Sequence, residues 1–259
     1  MDFQTLDVEI NGRIAHVWLS RPEVRNAINI KMVSELRKLF AYIEDSTDVE
    51  VLFLGGRGND FCSGIDLSDF APGDTPDIHG FNRWEKVGRT LERLPALTIA
   101  VMQGEVAGGG LQLALACDIR VGAASSFYHF HDVRMGFIPG MGTFRLAKFV
   151  GLGRARRMAL TGRRIAAAEA EQMGLIDHLS ADDALAAKAE AALAEFGHLN
   201  VHTVQLIRRL LDESFEFGWE DFLGHFLASQ DRAIRMDEFR DFIRRAHVKG
   251  TPRGDDDGS

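Results

Sequence analysis

The amino-acid sequence predicts an α/β fold in which one core is followed by a C-terminal helical region. In the front half, short apolar strands alternate with helices, and the turns between them are rich in glycine. The back half is mostly helical, and no linker rich in Pro, Gly or Ser divides two cores. We therefore expect a core over residues 1–190, a helical region over 191–250 and a disordered tail over 251–259.

The front half begins with a predicted β-hairpin, because Asn11-Gly12 is a strong two-residue turn signal between apolar segments. The first helix has apolar residues at helical spacing, the second ends at Pro95, and the strands after the hairpin resemble strands buried on both faces. The predicted order is strands Val8–Ile10 and Ile14–Leu19, helix Ile30–Ile43, strand Val51–Leu54, a loop over 71–78, helix Phe81–Leu94 and strand Thr98–Met102.

A second glycine-rich turn, Gly104–Gly110, opens into an apolar helix, LQLALACD. Two short strands follow, Ile119–Val121 and Phe127–Tyr128. After the segment GFIPGMG the pattern predicts helices to about residue 246, with Leu175–Leu179 as the one candidate strand among them.

Composition excludes several classes of protein. The chain has 259 residues, and Lys plus Arg is 30 against 38 Asp plus Glu, so its net charge of −8 argues against general nucleic-acid binding. No apolar run approaches the roughly 20 residues of a membrane helix, and MDFQTLDVEI does not resemble a signal peptide. Two cysteines, Cys62 and Cys117, exclude a disulfide scaffold and fit the reducing cytoplasm.

Two glycine turns are candidates for binding an anion. Gly108-Gly109-Gly110 lies between a buried strand and a helix, where the first amides have no partner within the helix. The turn Ser63-Gly64-Ile65-Asp66 also follows a buried strand and offers the Ile65 amide. Two such donors on one carbonyl oxygen would make an oxyanion hole, although three glycines in a row often form a tight packing turn instead.

Five motifs in order make the chain resemble the crotonase superfamily, whose best-known members are enoyl-CoA hydratases and isomerases. They are RPEVRNAIN, FCSGIDLSDF, QGEVAGGGLQLALACDIRV, GFIPGMGTFRL and LTGRRIAAAEAEQMGLIDHL, and the resemblance spans about residues 5–245. It implies a crotonase-type spiral of ββα units with C-terminal helices, assembled as a homotrimer or homohexamer. It also implies a thioester substrate carried on coenzyme A or on the pantetheine arm of an acyl-carrier protein.

The resemblance also assigns site residues. The oxyanion hole maps to the amides of Ile65 and Gly109, and the substrate channel to Ile65, Asp66, Leu67 and Ser68, with Ser63 and Arg25 nearer the nucleotide. Asp66 and Ser68 could instead cap the next turn. No metal or redox cofactor is expected, because no metal-spaced cluster and no dinucleotide fingerprint is present.

The catalytic positions depart from the hydratase pattern. Gln112 stands where those hydratases have their first glutamate, and a carboxamide can orient a group but cannot act as a general base. Asp132 stands at the second glutamate, and His129 and His131, just before it, are further candidates. In an extended segment both histidines would share one face, and Asp132 would point away unless the chain turns there. We predict that Asp132 transfers a proton, aided by His131.

Four activities remain open at this point. The first is isomerisation or hydration/dehydration of an acyl thioester through an enolate. The second is decarboxylation of a carrier-bound thioester, for which Lys86, in a segment with Trp84 and Glu85 that often borders the acyl pocket in this family, is a candidate. The third is hydrolysis of a C–C bond with a histidine base, and the fourth is thioester binding without catalysis. The sequence also leaves open the acyl group, coenzyme A against carrier protein, and trimer against hexamer.

Overall fold

The computed structural model describes residues 2–46, 48–70, 77–196 and 200–248. Most of the predicted loop over 71–78 and all of the predicted tail over 251–259 lie outside these ranges. The chain divides into two compact units, residues 1–197 and 198–259.

The first unit is built on a mainly parallel sheet with the strand order β1-β2-β3-β4-β6-β9, in which β9 is His178–Ser180. Only β1 and β2 pair antiparallel, as the predicted hairpin requires. Asn11 still pairs with Ile14, so Gly12 and Arg13 form the turn rather than Asn11-Gly12. The elements to this point are β1 Leu6–Asn11, β2 Ile14–Leu19, α1 Ile30–Ser46, β3 Val51–Gly56, α2 Ile78–Arg93 and β4 Leu97–Met102, with β6 Ile119–Ala123 further along the chain.

A second, smaller sheet runs through the turn that was expected to be irregular. Its strands are β5 Glu105–Ala107, β7 Phe127–His129 and β8 Ile165–Ala166, in that spatial order. Isolated bridges join Cys62 to Val106 and Ile28 to Ile65. The bridge from Cys62 to Val106 therefore connects the first glycine turn to the second. The prediction of a continuous turn over 104–110 was wrong, because residues 105–107 form β5.

Four helices and the last strand complete the described part of the first unit: α3 Gly109–Leu115, α4 Gly142–Thr161, α5 Ala167–Gln172, β9 His178–Ser180 and α6 Leu185–Ala194. The strand predicted over 175–179 begins three residues before the observed strand β9. Leu175 and Ile176 are buried, as in a strand, but they precede β9. The core packs α1, α2 and α3 against the sheets, with Tyr128, Phe40, Phe61 and Phe130 among its largest buried side chains.

The second unit is helical. It comprises α7 Val201–Glu213, α8 Trp219–Ile234 and α9 Asp237–Val248. Asn200 caps α7, its side-chain oxygen accepting a hydrogen bond of 2.8 Å from the Thr203 amide. None of the helices within the described ranges is long and apolar enough to cross a membrane.

Candidate active site

The two glycine turns meet in space. A Cβ built on Gly64 would lie 3.6 Å from Gly108 Cα, and one built on Gly108 would lie 3.5 Å from Gly64 Cα. Both residues have positive φ, 103° at Gly64 and 49° at Gly108, which side chains other than hydrogen rarely allow. The positive φ therefore favours glycine at both positions, and at Gly64 a Cβ would also lie 3.3 Å from Ala107 O.

Among the described residues, two backbone amides at this junction have no hydrogen-bond acceptor, those of Ile65 and Gly109. Ile65 forms a parallel bridge with Ile28, in which the Ile28 amide donates to Gly64 O at 2.8 Å and the Asp66 amide donates to Ile28 O at 2.9 Å. Both hydrogen bonds come from the neighbours of Ile65, so the Ile65 amide itself points away from Ile28. Gly109 begins α3, where an N–H has no acceptor within the helix. The indole of Trp84 lies over Gly109, its Cζ2 3.2 Å from a Cβ built there.

Asp132 reaches the junction because the chain turns after β7. A 3-10 helix runs from His131 to Met135, and Gly136 follows in the left-handed conformation. Both carboxylate oxygens of Asp132 lie 3.6 Å from a Cβ built on Gly108, and Oδ2 is buried without a hydrogen-bond partner. Burial raises the pKa of Asp132, and its backbone hydrogen bond and the nearby histidines offset this only in part.

His131 reaches the same place from the other side. Its Cε1 lies 3.4 Å from a Cβ built on Gly64, and its Nδ1 is buried without a hydrogen-bond partner. Burial and then the charge of His129 lower the pKa of His131, so the imidazole is neutral near pH 7. A neutral imidazole can accept a proton.

His129 is buried against Glu105, a buried carboxylate that pairs with two half-exposed arginines. Its Nε2 hydrogen-bonds Glu105, whose other oxygen accepts from Arg164 at 2.7 Å and lies 3.1 Å from Arg25. The rings of His129 and His131 are 5.1 Å apart. His129 therefore connects Glu105 to His131, and Arg25, expected near the nucleotide, is paired with Glu105.

Gln112 is buried on α3, one turn after Gly108. Its amide Oε1 has no hydrogen-bond partner and lies 3.3 Å from a Cβ built on Gly140. Gly140 belongs to the GFIPGMG segment, so this loop closes over the predicted orienting group.

The model of the family described as enoyl-CoA hydratase/isomerase matches residues 9–244. The chain belongs to this family, within the crotonase superfamily. It is 33% identical over 250 residues to Bacillus subtilis YngF, provisionally named an enoyl-CoA hydratase/isomerase, covering 93% of this chain and 96% of that protein. A crystal structure of enoyl-CoA hydratase from Bacillus anthracis superposes with a TM-score of 0.88 at 27% identity, covering 96% of this chain and 98% of that one.

A protein of Thermobifida fusca, provisionally named an enoyl-CoA hydratase, was solved in complex with CoA and with acetoacetyl-CoA. Its CoA complex matches with a TM-score of 0.81 at 29% identity, covering 89% of this chain and 93% of that one. Its acetoacetyl-CoA complex matches with a TM-score of 0.82 at 28% identity, covering 89% and 94%.

Of the residues predicted to line the substrate channel, Asp66 has a structural role, and Leu67 and Ser68 are exposed. Asp66 caps the short helix after it, accepting from Ser68 N at 3.0 Å and Ser68 Oγ at 2.6 Å, and pairs with Arg21 at 2.7 Å. Burial would raise the pKa of Asp66, but the bonds from Ser68 and Arg21 outweigh it and lower the pKa. Leu67 is 59% exposed, and Ser63 contacts Val24 O at 3.4 Å.

One face of α2 contributes to the site in a way that was not predicted. In the segment of Trp84, Glu85 and Lys86, the residue predicted to have a role was Lys86. The structure leaves Lys86 exposed, and it is Trp84 and Glu85 that turn toward α3 and the GFIPGMG loop. The available signal was helical phase, since Trp84 lies four residues before the buried Gly88 and Glu85 three residues before it.

Proposed function

We propose that the protein acts on an acyl-CoA thioester by stabilising an enolate, and that its reaction is double-bond isomerisation or hydration/dehydration. One observation carries the proposal: the Gly64 and Gly108 turns meet, and the buried Asp132 carboxylate lies beside them. Amides on such turns are suited to charge that develops on a thioester oxygen. A carboxylate beside them is suited to proton transfer at the adjoining carbon.

In isomerisation, ionised Asp132 removes a proton from C2 of a 3-enoyl thioester. The C–H electron pair forms the C1–C2 double bond of the enolate, and the carbonyl π pair moves to the oxygen, where the Ile65 and Gly109 amides donate to it. Asp132 then returns the proton to C4, which leaves the double bond between C2 and C3. The raised pKa of Asp132 suits this role, since one group must both take and give a proton.

Support for coenzyme A as the carrier comes from the Thermobifida fusca structures in complex with CoA and acetoacetyl-CoA. The exposed Leu67 and Ser68 would border the pantetheine arm. We further propose a cytoplasmic homotrimer or homohexamer that needs no metal or redox cofactor. Activity should survive treatment with a chelator, and its loss with recovery on adding zinc would contradict this part.

A second candidate is hydrolysis of a C–C bond, with neutral His131 as the base that activates water. The position of His131 beside Gly64 favours it. Decarboxylation assisted by Lys86 has no such support, because that side chain is exposed.

The deciding experiment is incubation in D₂O with a panel of 2-enoyl, 3-enoyl, 3-oxoacyl and malonyl-type CoA thioesters, followed by mass spectrometry. Conversion of a 3-enoyl to a 2-enoyl thioester, followed by the ultraviolet absorbance of the conjugated product, indicates isomerisation even without deuterium uptake, because Asp132 can return the same proton. Added water indicates hydration, a shortened acyl chain indicates C–C hydrolysis, and loss of carbon dioxide indicates decarboxylation. Unchanged masses together with unchanged absorbance would overturn the proposal and leave thioester binding alone.

A further inference from the structure

We infer that Glu85 is the second carboxylate of this site and performs the proton transfer that Gln112 cannot. The inference rests on the proposed function and narrows it to hydration/dehydration of a 2-enoyl thioester. That reaction needs a group to take a proton from water as well as a group to protonate carbon.

Glu85 is brought to Gln112 by helix α2 and the GFIPGMG loop. A Cβ built on Gly140 would overlap Glu85 Oε1 and lie 3.3 Å from Oε1 and 3.4 Å from Nε2 of Gln112. The carboxylate of Glu85 and the carboxamide of Gln112 therefore flank the same glycine. A carboxylate is present at this place, although it comes from a different helix than the family pattern predicts.

One oxygen of Glu85 accepts a hydrogen bond, whereas the other has an ion-pair contact of 3.6 Å with Arg145 and no hydrogen bond. Oε1 accepts a hydrogen bond of 3.1 Å from the Met141 amide. Oε2 is buried without a hydrogen-bond partner, as is Oε1 of Gln112. These two unpaired acceptors belong to side chains that flank the same glycine, Gly140. Leaving both without a donor is costly, and a water molecule can supply two donors.

Arg145 distinguishes Glu85 from a purely structural carboxylate. This buried guanidinium donates to Glu92 Oε1 at 2.5 Å through Nε, whereas its Nη1 lies 3.6 Å from Glu85 Oε2. The close hydrogen bond that holds α4 to α2 is thus made by Glu92. Glu85 keeps a lone pair for a proton.

The hydration steps balance with two carboxyl groups. Glu85 takes a proton from water as the water oxygen bonds to C3, and the pair of the C2–C3 double bond shifts toward C1. The carbonyl π pair moves to the oxygen at the Ile65 and Gly109 amides. Protonated Asp132 then gives its proton to C2 and the carbonyl re-forms. The proton on Glu85 returns to Asp132 through solvent, which restores the starting state.

The test compares three variants in hydration of crotonyl-CoA and longer 2-enoyl-CoA thioesters. Glu85→Gln preserves an acceptor for Met141 but removes the base, and we expect kcat to fall about 100-fold with little change in KM. Glu92→Gln is the matched control, because it disturbs Arg145 without touching Gln112, and it should lower kcat by no more than about threefold. The double variant Glu85→Gln/Gln112→Glu moves the carboxylate across Gly140 and should recover at least about tenfold of the loss.

If Glu85→Gln keeps the wild-type kcat, Glu85 is not the base and the inference is overturned. If the wild type adds no water yet isomerises 3-enoyl thioesters, the proposed function stands and the role of Glu85 is overturned. If Glu92→Gln loses as much as Glu85→Gln, or the double variant recovers nothing, Glu85 acts only through packing and the inference is overturned. A wild type that leaves every thioester unchanged overturns the proposed function and this inference together.

Discussion

Asp132 combines burial, an unpartnered oxygen and a position beside Gly108. Asp132→Asn keeps the size of the side chain but removes its basicity, so turnover should fall about 100-fold or more. Gln112→Ala should cost less, because an amide only orients its partner. Steady-state kinetics on the thioester identified by the panel measures both. Full turnover in Asp132→Asn together with its loss in His131→Ala would move the base to the histidine.

The same substitution should stabilise the fold at neutral pH. Burial raises the pKa of Asp132 in the folded chain, so its protonated state favours folding fully below the unfolded pKa of about 3.9. This contribution is lost as the pH rises through the higher folded pKa. Asp132→Asn carries no charge and should melt a few degrees above the wild type near neutrality. The difference should shrink as the pH approaches the unfolded pKa, and equal melting temperatures at every pH would contradict it.

At the scale of elements, the start of α3 depends on the backbone at Gly108. Its φ of 49° and ψ of −119° are accessible to glycine but strained for alanine, whereas the Cβ itself would make only ordinary contacts, the nearest at 3.5 Å. Gly108→Ala should therefore destabilise the protein by about 1–3 kcal/mol and displace the Gly109 amide, with loss of activity.

Gly224→Ala is the matched control for that variant. Gly224 lies within α8, and a Cβ built on it would meet nothing within 4 Å. Alanine there should be neutral or stabilising by up to about 1 kcal/mol, because it favours helix. Chemical unfolding measures both, and equal stability of the two variants would contradict the requirement for glycine at 108.

At the scale of the whole molecule, apolar side chains remain on the surface of both units. The second unit exposes Leu223, Phe226, Leu227 and Ile234, and the first exposes Ile138 (74%) and Leu160 (71%). Large apolar surfaces of this kind mark contacts between proteins. We expect a trimer or hexamer in light scattering, with the average mass lowered by Phe226→Asp. A stable monomer at micromolar concentration would contradict it.

The sequence by itself determined the order of elements, the family and the residues at both glycine turns. These features are local: apolar periodicity marks a buried helix or strand, and a glycine marks backbone that other residues avoid. The departure from the hydratase pattern at Gln112 could also be predicted from the sequence, since a carboxamide cannot take up a proton as a carboxylate does. The strands β5 and β9 were misread because each is short and is defined by its partners in the sheets rather than by its own pattern.

Only the tertiary structure decided which distant groups share one place. The turn after β7 brings both His131 and Asp132 to the junction, whereas an extended chain would have separated them. The packing of α2 beside α3 brings Glu85 and Gln112 to the same glycine, Gly140, and no local pattern predicts that they meet there. The physical reason is that burial, unpaired acceptors and pKa shifts arise from surroundings contributed by other segments, which periodicity along a single segment does not contain.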